Sequence, residues 1–225
     1  MAHINRKILG SIKGKIGDVI FRERNGKVIA FARAKKYKKT KSQKLEKERT
    51  KFATVVQFAN LIKNEPDLYS IWKKSNLQGS NAYQKIIKNN LKLTNESELS
   101  VNNILLPSGI YIEVNLLNIN RSKNKISELE IELDIDNDHK PLFQEAKLYS
   151  LFYKTNECQL TSGEDKFYFN QTRINLDIVS EKNIVKIPAK IKTNENCSLV
   201  LLLCLVSENK NKKIYWTSTK GITII

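Results

Sequence analysis

Nothing in this 225-residue chain is apolar for long enough to cross a membrane as a helix, which takes about 18 residues. The most apolar segment, 198–206, is half that length and reads as a buried strand. Near the start, Ile8, Leu9, Ile12 and Ile16 are interrupted by Gly and Lys. No secretory signal is read there, and a cytoplasmic location is expected, signal-independent export aside. Histidine is scarce. His3 and His139 are far apart in sequence, and neither stands beside a Ser or Cys in a catalytic setting. No pair of carboxylates stands out from ordinary strand-edge acids, so neither catalysis nor a cofactor is expected. The three cysteines, Cys158, Cys197 and Cys204, lack metal-ligand spacing. Cys197 and Cys204 are seven apart, so on one strand they would face opposite sides and could not bridge. Buried, reduced thiols are the expectation.

Positive charge is what the chain does have, and it is unevenly placed. Residues 1–95 hold 23 Lys and Arg against 6 Asp and Glu, whereas the remaining 130 hold 16 against 17. Lys, Asn and Ile are plentiful throughout, but a compositional bias would load both parts alike. The asymmetry implies that the amino-terminal part meets something anionic, or sits in an assembly that compensates its charge.

Residues 1–16 show no clear period and are expected as an extended arm. Two β-favouring runs, 18–24 and 27–33, flank Asn25-Gly26, a pair suited to a type I′ turn because both residues tolerate positive φ. The implied register pairs Arg24 with Lys27, Phe21 with Ala30 and Asp18 with Arg33. It places Val19, Phe21, Val28 and Ala30 on one face. Ile20, Ile29 and Phe31 lie on the other, which turns basic at Arg22 and Arg24. A two-stranded hairpin apolar on both faces is not stable alone in water, so this chain or a neighbour must cover it.

Residues 34–41, AKKYKKTK, cannot pack a core and read as an exposed link. Thr40 and Gln43 have the spacing of a capping box, and Leu45, Phe52, Val55, Val56, Ala59 and Ile62 recur at helical spacing. A short second helix is expected with Asn64 as N-cap and Pro66 in its first turn, and a third from about Asn81 with Tyr83, Ile86 and Ile87 together. The three would form a small bundle. The polar segment 91–107 reads as a linker. Beyond it the period becomes two, with strand-like runs near 111–117, 129–135, 146–153, 167–178, 184–189, 199–206 and 214–224. The expected architecture is α+β: an amino-terminal extended arm, β-hairpin and small helical region over 1–95, then an antiparallel immunoglobulin-like β-sandwich over 105–225.

Two motif-like spacings fail on detail. Gly10, Gly14, Lys15 and Gly17 resemble a phosphate loop, but three residues rather than four separate Gly10 from Gly14, and Ile follows Lys15. Asp134, Asp136, Asp138 and Glu145 have the carboxylate spacing of a calcium loop, but His139 stands where such a loop needs Gly. An acidic turn at a strand end is the expectation, and no metal is assigned.

The feature above noise is the basic run Lys35, Lys36, Lys38, Lys39 and Lys41, continued by Lys44, Lys47, Arg49 and Lys51. It either contacts phosphates, with Tyr37 able to stack on a base, or is a solvated helix face beside a link. No helix-turn-helix, zinc-finger or aromatic RNA-sheet signature accompanies it, so sequence-specific readout is not expected.

The segment Gly14-Lys15-Ile16-Gly17-Asp18-Val19, then Asn25-Gly26-Lys27 and Arg33, a Lys-rich stretch, Arg49-x-x-Phe52 and Ser80-x-x-Tyr83 resembles an uncharacterised protein family of Bacteroidota and related bacteria. The resemblance is specific over the first ninety residues and only in outline beyond. It implies a Gly/Lys-rich amino-terminal segment, a short helical region, a β-rich carboxy-terminal domain and a non-enzymatic role. Two functions are carried forward. In the first, the protein is structural and self-assembles into a filament, tube or shell, a homo-oligomer or polymer joined through Val19, Ile20, Phe21, Ile29 and Phe31. In the second, its basic amino-terminal half binds nucleic acid non-specifically.

Overall fold

The computed structural model describes residues 2–4, 14–24, 27–33, 42–122, 125–155, 165–180, 182–192 and 198–224. The chain divides into two units, Met1–Ser42 and Gln43–Ile225. The expected hairpin forms in the first, between β3 (Val19–Arg24) and β4 (Lys27–Ala32). Its register pairs Arg24 with Lys27 and Phe21 with Ala30, as read from the sequence. The turn residues Asn25 and Gly26 lie outside the described residues.

Two parts of the expected arm are strands instead. β1 (Ala2–Ile4) pairs with β4, and β2 (Gly14–Ile16) pairs with β3, giving a sheet of order β1-β4-β3-β2. The missed signal was Gly17-Asp18. Gly17 has φ +57°, and these two residues form the tight turn between Ile16 and Val19.

The second unit opens with α1 (Gln43–Asn64), α2 (Pro66–Lys74) and α3 (Ala82–Leu93). Val55, Phe58, Ala59 and Ile62 form the buried stripe of α1, at the i, i+3, i+4, i+7 spacing of one helix face. Leu45 and Phe52, expected on that stripe, are 42% and 50% exposed: the first ten residues of the helix run ahead of the surface that covers the rest. The N-cap of α2 is Glu65 rather than Asn64, with Pro66 at the first helical position, where a missing N–H is harmless. α3 begins where expected, and Asn81 caps it, its side chain accepting from the Gln84 amide at 2.9 Å.

Strands then follow in near-unbroken order. β5 (Glu113–Ser122), β6 (Lys125–Asp134) and β9 (Asn183–Lys192) make an antiparallel three-stranded sheet in the order β5-β6-β9. β7 (Glu145–Lys154), β8 (Phe167–Asn175), β10 (Leu199–Glu208), β11 (Ile214–Trp216) and β12 (Lys220–Ile224) make the other. β11 and β12, expected as one run, pair with different stretches of β10 because the chain breaks at 217–219. There the Thr217 hydroxyl accepts from the Leu205 amide at 2.9 Å, in place of a backbone carbonyl.

Alternation within β7 and β10 produces two cores. Leu199, Leu201, Leu203 and Leu205 face the three-stranded sheet and pack with Leu129, Ile131, Leu133 and Ile187. Val200, Leu202, Cys204 and Val206 point the other way, with Tyr149, Leu151 and Tyr153, onto Phe58, Ile62, Leu68, Trp72 and Ile86 of the helices. The result is mixed α+β, with helices on one face of the larger sheet and the smaller sheet on the other. Buried on both faces, β10 has no polar residue between Leu199 and Val206.

The boundary expected at 95–105 is corrected by this packing. The helices belong to the same compact unit as the strands, and the division falls between Ser42 and Gln43. The supposed linker is itself part of the core: Leu99, Leu105 and Leu106 are buried, and Asn103 is 1% exposed. Trp72 Nε1 donates to the Leu105 carbonyl at 2.8 Å, and Thr219 Oγ1 accepts from the Leu105 and Leu106 amides at 2.9 and 3.0 Å. Asn and Ser in this segment tie backbone to backbone; they do not solvate a flexible tether.

Candidate interaction surfaces

The five hairpin residues singled out for assembly fall on two faces of the amino-terminal sheet. Ile20 stands opposite Phe31 on one face, with Ile29 beside them; Val19 and Phe21 stand opposite Ala32 and Ala30 on the other. Ile20, Phe21, Ile29 and Phe31 are half-buried, Val19 is exposed, and of residues 14–23 and 27–33 only Val28 is fully buried. The Arg22 guanidinium lies 5.4 Å from the centre of the Phe31 ring, a cation over an aromatic face. Both edges of the hairpin are taken by β2 and β1 over Val19–Phe21 and Val28–Ala30, so no strand of a neighbour can add there.

Of the basic run, Lys35, Lys36, Tyr37, Lys38, Lys39 and Lys41 lie outside the described residues. Lys44, Lys47 and Arg49 are exposed on the first turns of α1, and Lys51 is half-buried. Lys44, Lys47 and Lys51 share one side of the helix and line an open cleft of 470 Å³ with Gln43, Glu48 and Glu96. The Lys47 ammonium lies 3.3 Å from the Glu96 carboxylate, and both side chains are solvated, so the pair adds little to stability.

A second cleft, which no sequence pattern announced, lies between α1 and α3. Its volume is 690 Å³ and its walls include Phe52, Tyr83 and Ile87, with Gln78, Gln84 and Lys88 around them. Gly79 brings the 78–80 turn against α3: a Cβ there would sit 2.7 Å from the Lys85 amide nitrogen. Lys63 Nζ lies 5.8 Å from the centre of the Tyr83 ring.

A third cleft, of 440 Å³, is floored by β7, β8 and β10 beyond the edge of the helical layer. The Asp67 carboxylate, in the first turn of α2, accepts from Lys147 Nζ at 2.5 Å and Tyr149 Oη at 2.8 Å. Burial raises its pKa, but those two donors outweigh burial and hold it below the usual carboxylate range. Burial and the neighbouring Asp67 push Glu65 up, and burial followed by the Asp67 contact pushes the Tyr149 phenol up. Arg173 stands directly across from Lys147 on the adjoining strand, and Glu145 and Glu208 complete a mixed-charge rim. A fourth cleft, lined by Gln57, Asn60, Leu61, Asp165, Lys166 and Phe167, measures 550 Å³.

The four acids with calcium-loop spacing are not brought together. Asp134 ends β6, Asp136 and Asp138 lie in the following turn, and Glu145 opens β7 at the rim of the third cleft. The Asp136 carbonyl accepts from the His139 and Lys140 amides at 2.8 and 3.0 Å. Lys140, 2% exposed, fastens this turn by donating to Asn137 Oδ1 and the Ser180 carbonyl, both at 2.9 Å. Among the described residues no group of three or more His, Cys, Asp or Glu is placed to hold a metal. Cys204 is a free, buried thiol whose pKa burial raises; Cys158 and Cys197 lie outside the described residues. No helix among the described residues is long and apolar enough to cross a membrane. The chain matches no protein-family model, no curated protein and no solved structure.

Proposed function

We propose that this is a non-enzymatic structural protein that assembles with copies of itself through the faces of its amino-terminal sheet. The observation that carries the reading is the state of that sheet. β3 and β4 carry apolar side chains on both faces, yet of residues 14–23 and 27–33 Val28 alone is fully buried, and Ile16 is 62% exposed. A unit of 42 residues is too small to bury two apolar faces by itself. A copy seated on Ile20, Ile29 and Phe31 would cover one of them. Replacing Phe31 by Asp tests this, because an unpaired carboxylate in an apolar contact is costly. The variant should sediment as a folded monomer under conditions where the wild type is oligomeric. A Phe31→Asp protein that assembles like the wild type would contradict the proposal.

A second reading, binding of nucleic acid by the basic amino-terminal half, is favoured by the charge count. The unit Met1–Ser42 holds 13 Lys and Arg against two acids, and the rest of the chain is also net positive, 26 against 21. Copies of this chain therefore repel one another on net charge, and a polyanion would relieve the repulsion. The readings are compatible, since a coat protein does both. The carboxy-terminal sheets are proposed to have an immunoglobulin-like layout. Strand order supports this: β5-β6-β9 faces β8-β7-β10 with β11 and β12 beyond, the arrangement of strands A, B and E against C, F and G.

A further inference from the structure

Resting on the nucleic-acid reading, we infer that the cleft between α1 and α3 binds single-stranded nucleic acid, with Phe52 and Tyr83 as its stacking platform. Single-strand binders combine exposed aromatic rings with a positively charged groove that tracks the backbone. Both elements meet here. Phe52 is 50% exposed, although it stands on a helix whose neighbouring apolar residues, Val55 and Phe58, are buried. Tyr83 and Ile87 rest against the helical core and show their remaining surface in the cleft. Lys88 lines the cleft, Lys63 holds its ammonium 5.8 Å from the Tyr83 ring centre, and Arg49 precedes Phe52 by one turn of α1.

Charge separates this cleft from the others. No carboxylate lines it, whereas the clefts at Lys47, Asp67 and Leu61 each include at least one acid. Residues 43–95 hold 10 Lys and Arg against four acids, so the surroundings are electropositive as well. An apolar protein segment would find the aromatic rings but no use for the cations. A duplex would find the cations but keep its bases stacked on one another. A strand with unpaired bases uses both.

Fluorescence anisotropy of the full chain, titrated into a labelled oligothymidylate and into a duplex of equal length at one fixed salt concentration, tests the inference. Phe52→Ala should weaken single-strand binding about tenfold, leave duplex binding unchanged, and preserve the circular dichroism spectrum. Tyr83→Leu, which keeps the apolar volume, should give a similar loss if the ring itself stacks. Substituting Lys35, Lys36, Lys38, Lys39 and Lys41 by Gln tests the parent reading separately. If that variant loses affinity while Phe52→Ala and Tyr83→Leu do not, nucleic-acid binding stands and the cleft is not its site. If the wild type binds neither oligonucleotide, both fail. If Phe52→Ala changes oligomeric state and leaves single-strand affinity intact, the cleft receives another copy, and the inference is overturned.

Discussion

Asn90 and Asn103 face each other across the junction of helix and loop, both essentially without solvent contact. Asn103 Nδ2 donates to Asn90 Oδ1 at 3.1 Å and to Thr94 Oγ1 at 3.0 Å, while Asn90 Oδ1 also accepts from the Ile104 amide at 2.8 Å. Asn103 Oδ1 accepts from the Ser100 amide at 2.8 Å. Two side chains thus satisfy the backbone of a turn that secondary structure leaves unpaired.

Truncating either one leaves buried partners unsatisfied. Asn103→Ala should cost about 1–3 kcal/mol in urea unfolding. Because the two act as one network, the double variant should lose less than the sum of the singles. Additive losses would show that the bond between them contributes nothing.

This network also explains what the sequence concealed. Alternation in 183–192 was readable because each side chain reports its own face, and the unbroken apolar run 199–206 was readable as a strand buried on both. The hairpin register was readable for the same reason. Segment 91–107 was not, because Ser100, Asn102 and Asn103 have the composition of a tether. The role of this segment depends on Asn90, which Asn103 bonds, and on Thr219, which the Leu105 and Leu106 amides bond, partners brought close only by folding. Phe52 was misread because helical spacing tells which residues share a face, not how far the covering surface extends. The cleft beside it is built from parts of three segments and has no local signature.

The helical layer is expected to be indispensable to the sheet. Removing residues 1–104 would uncover Tyr149, Leu151, Tyr153, Val200, Leu202 and Val206. At about 1.5–3 kcal/mol per large apolar side chain, that is as large as the whole stability of an ordinary domain. Residues 43–225 should unfold cooperatively when expressed alone, and residues 105–225 should aggregate or remain unfolded. A soluble 105–225 fragment with a cooperative melt would refute the shared core.

Gly221 lies where β12 passes under the 99–109 segment, and a Cβ built on it would sit 2.0 Å from the Val101 carbonyl oxygen. Backbone on both sides leaves no flexible tip to yield. Gly221→Ala should therefore destabilise by about 2 kcal/mol or more, read as a lowered thermal midpoint. An unchanged midpoint would mean that the loop can move away freely.

Acid should weaken the third cleft in a defined direction. Asp67 has a folded-state pKa below its unfolded value, so its contribution is present at neutral pH and is lost as pH falls through the folded pKa. Glu65 is raised, which opposes folding at neutral pH and is relieved on protonation. The Asp67 and Lys147 side chains are 30% and 37% exposed, so solvent screens the pair. Asp67→Asn should cost about 1 kcal/mol at pH 7, and its difference from the wild type should shrink as pH falls below about 4 and vanish once pH is below the folded pKa of Asp67. A difference that persisted at low pH would locate the effect in packing and not in charge.

The claim that the amino-terminal sheet joins copies of this chain is tested most directly by sedimentation velocity over a concentration series, comparing the full chain with residues 43–225. The full chain should shift to larger species as concentration rises, while the shortened chain should remain a folded monomer throughout. A full chain that stays monomeric at every concentration, or a shortened chain that assembles equally well, would contradict the account.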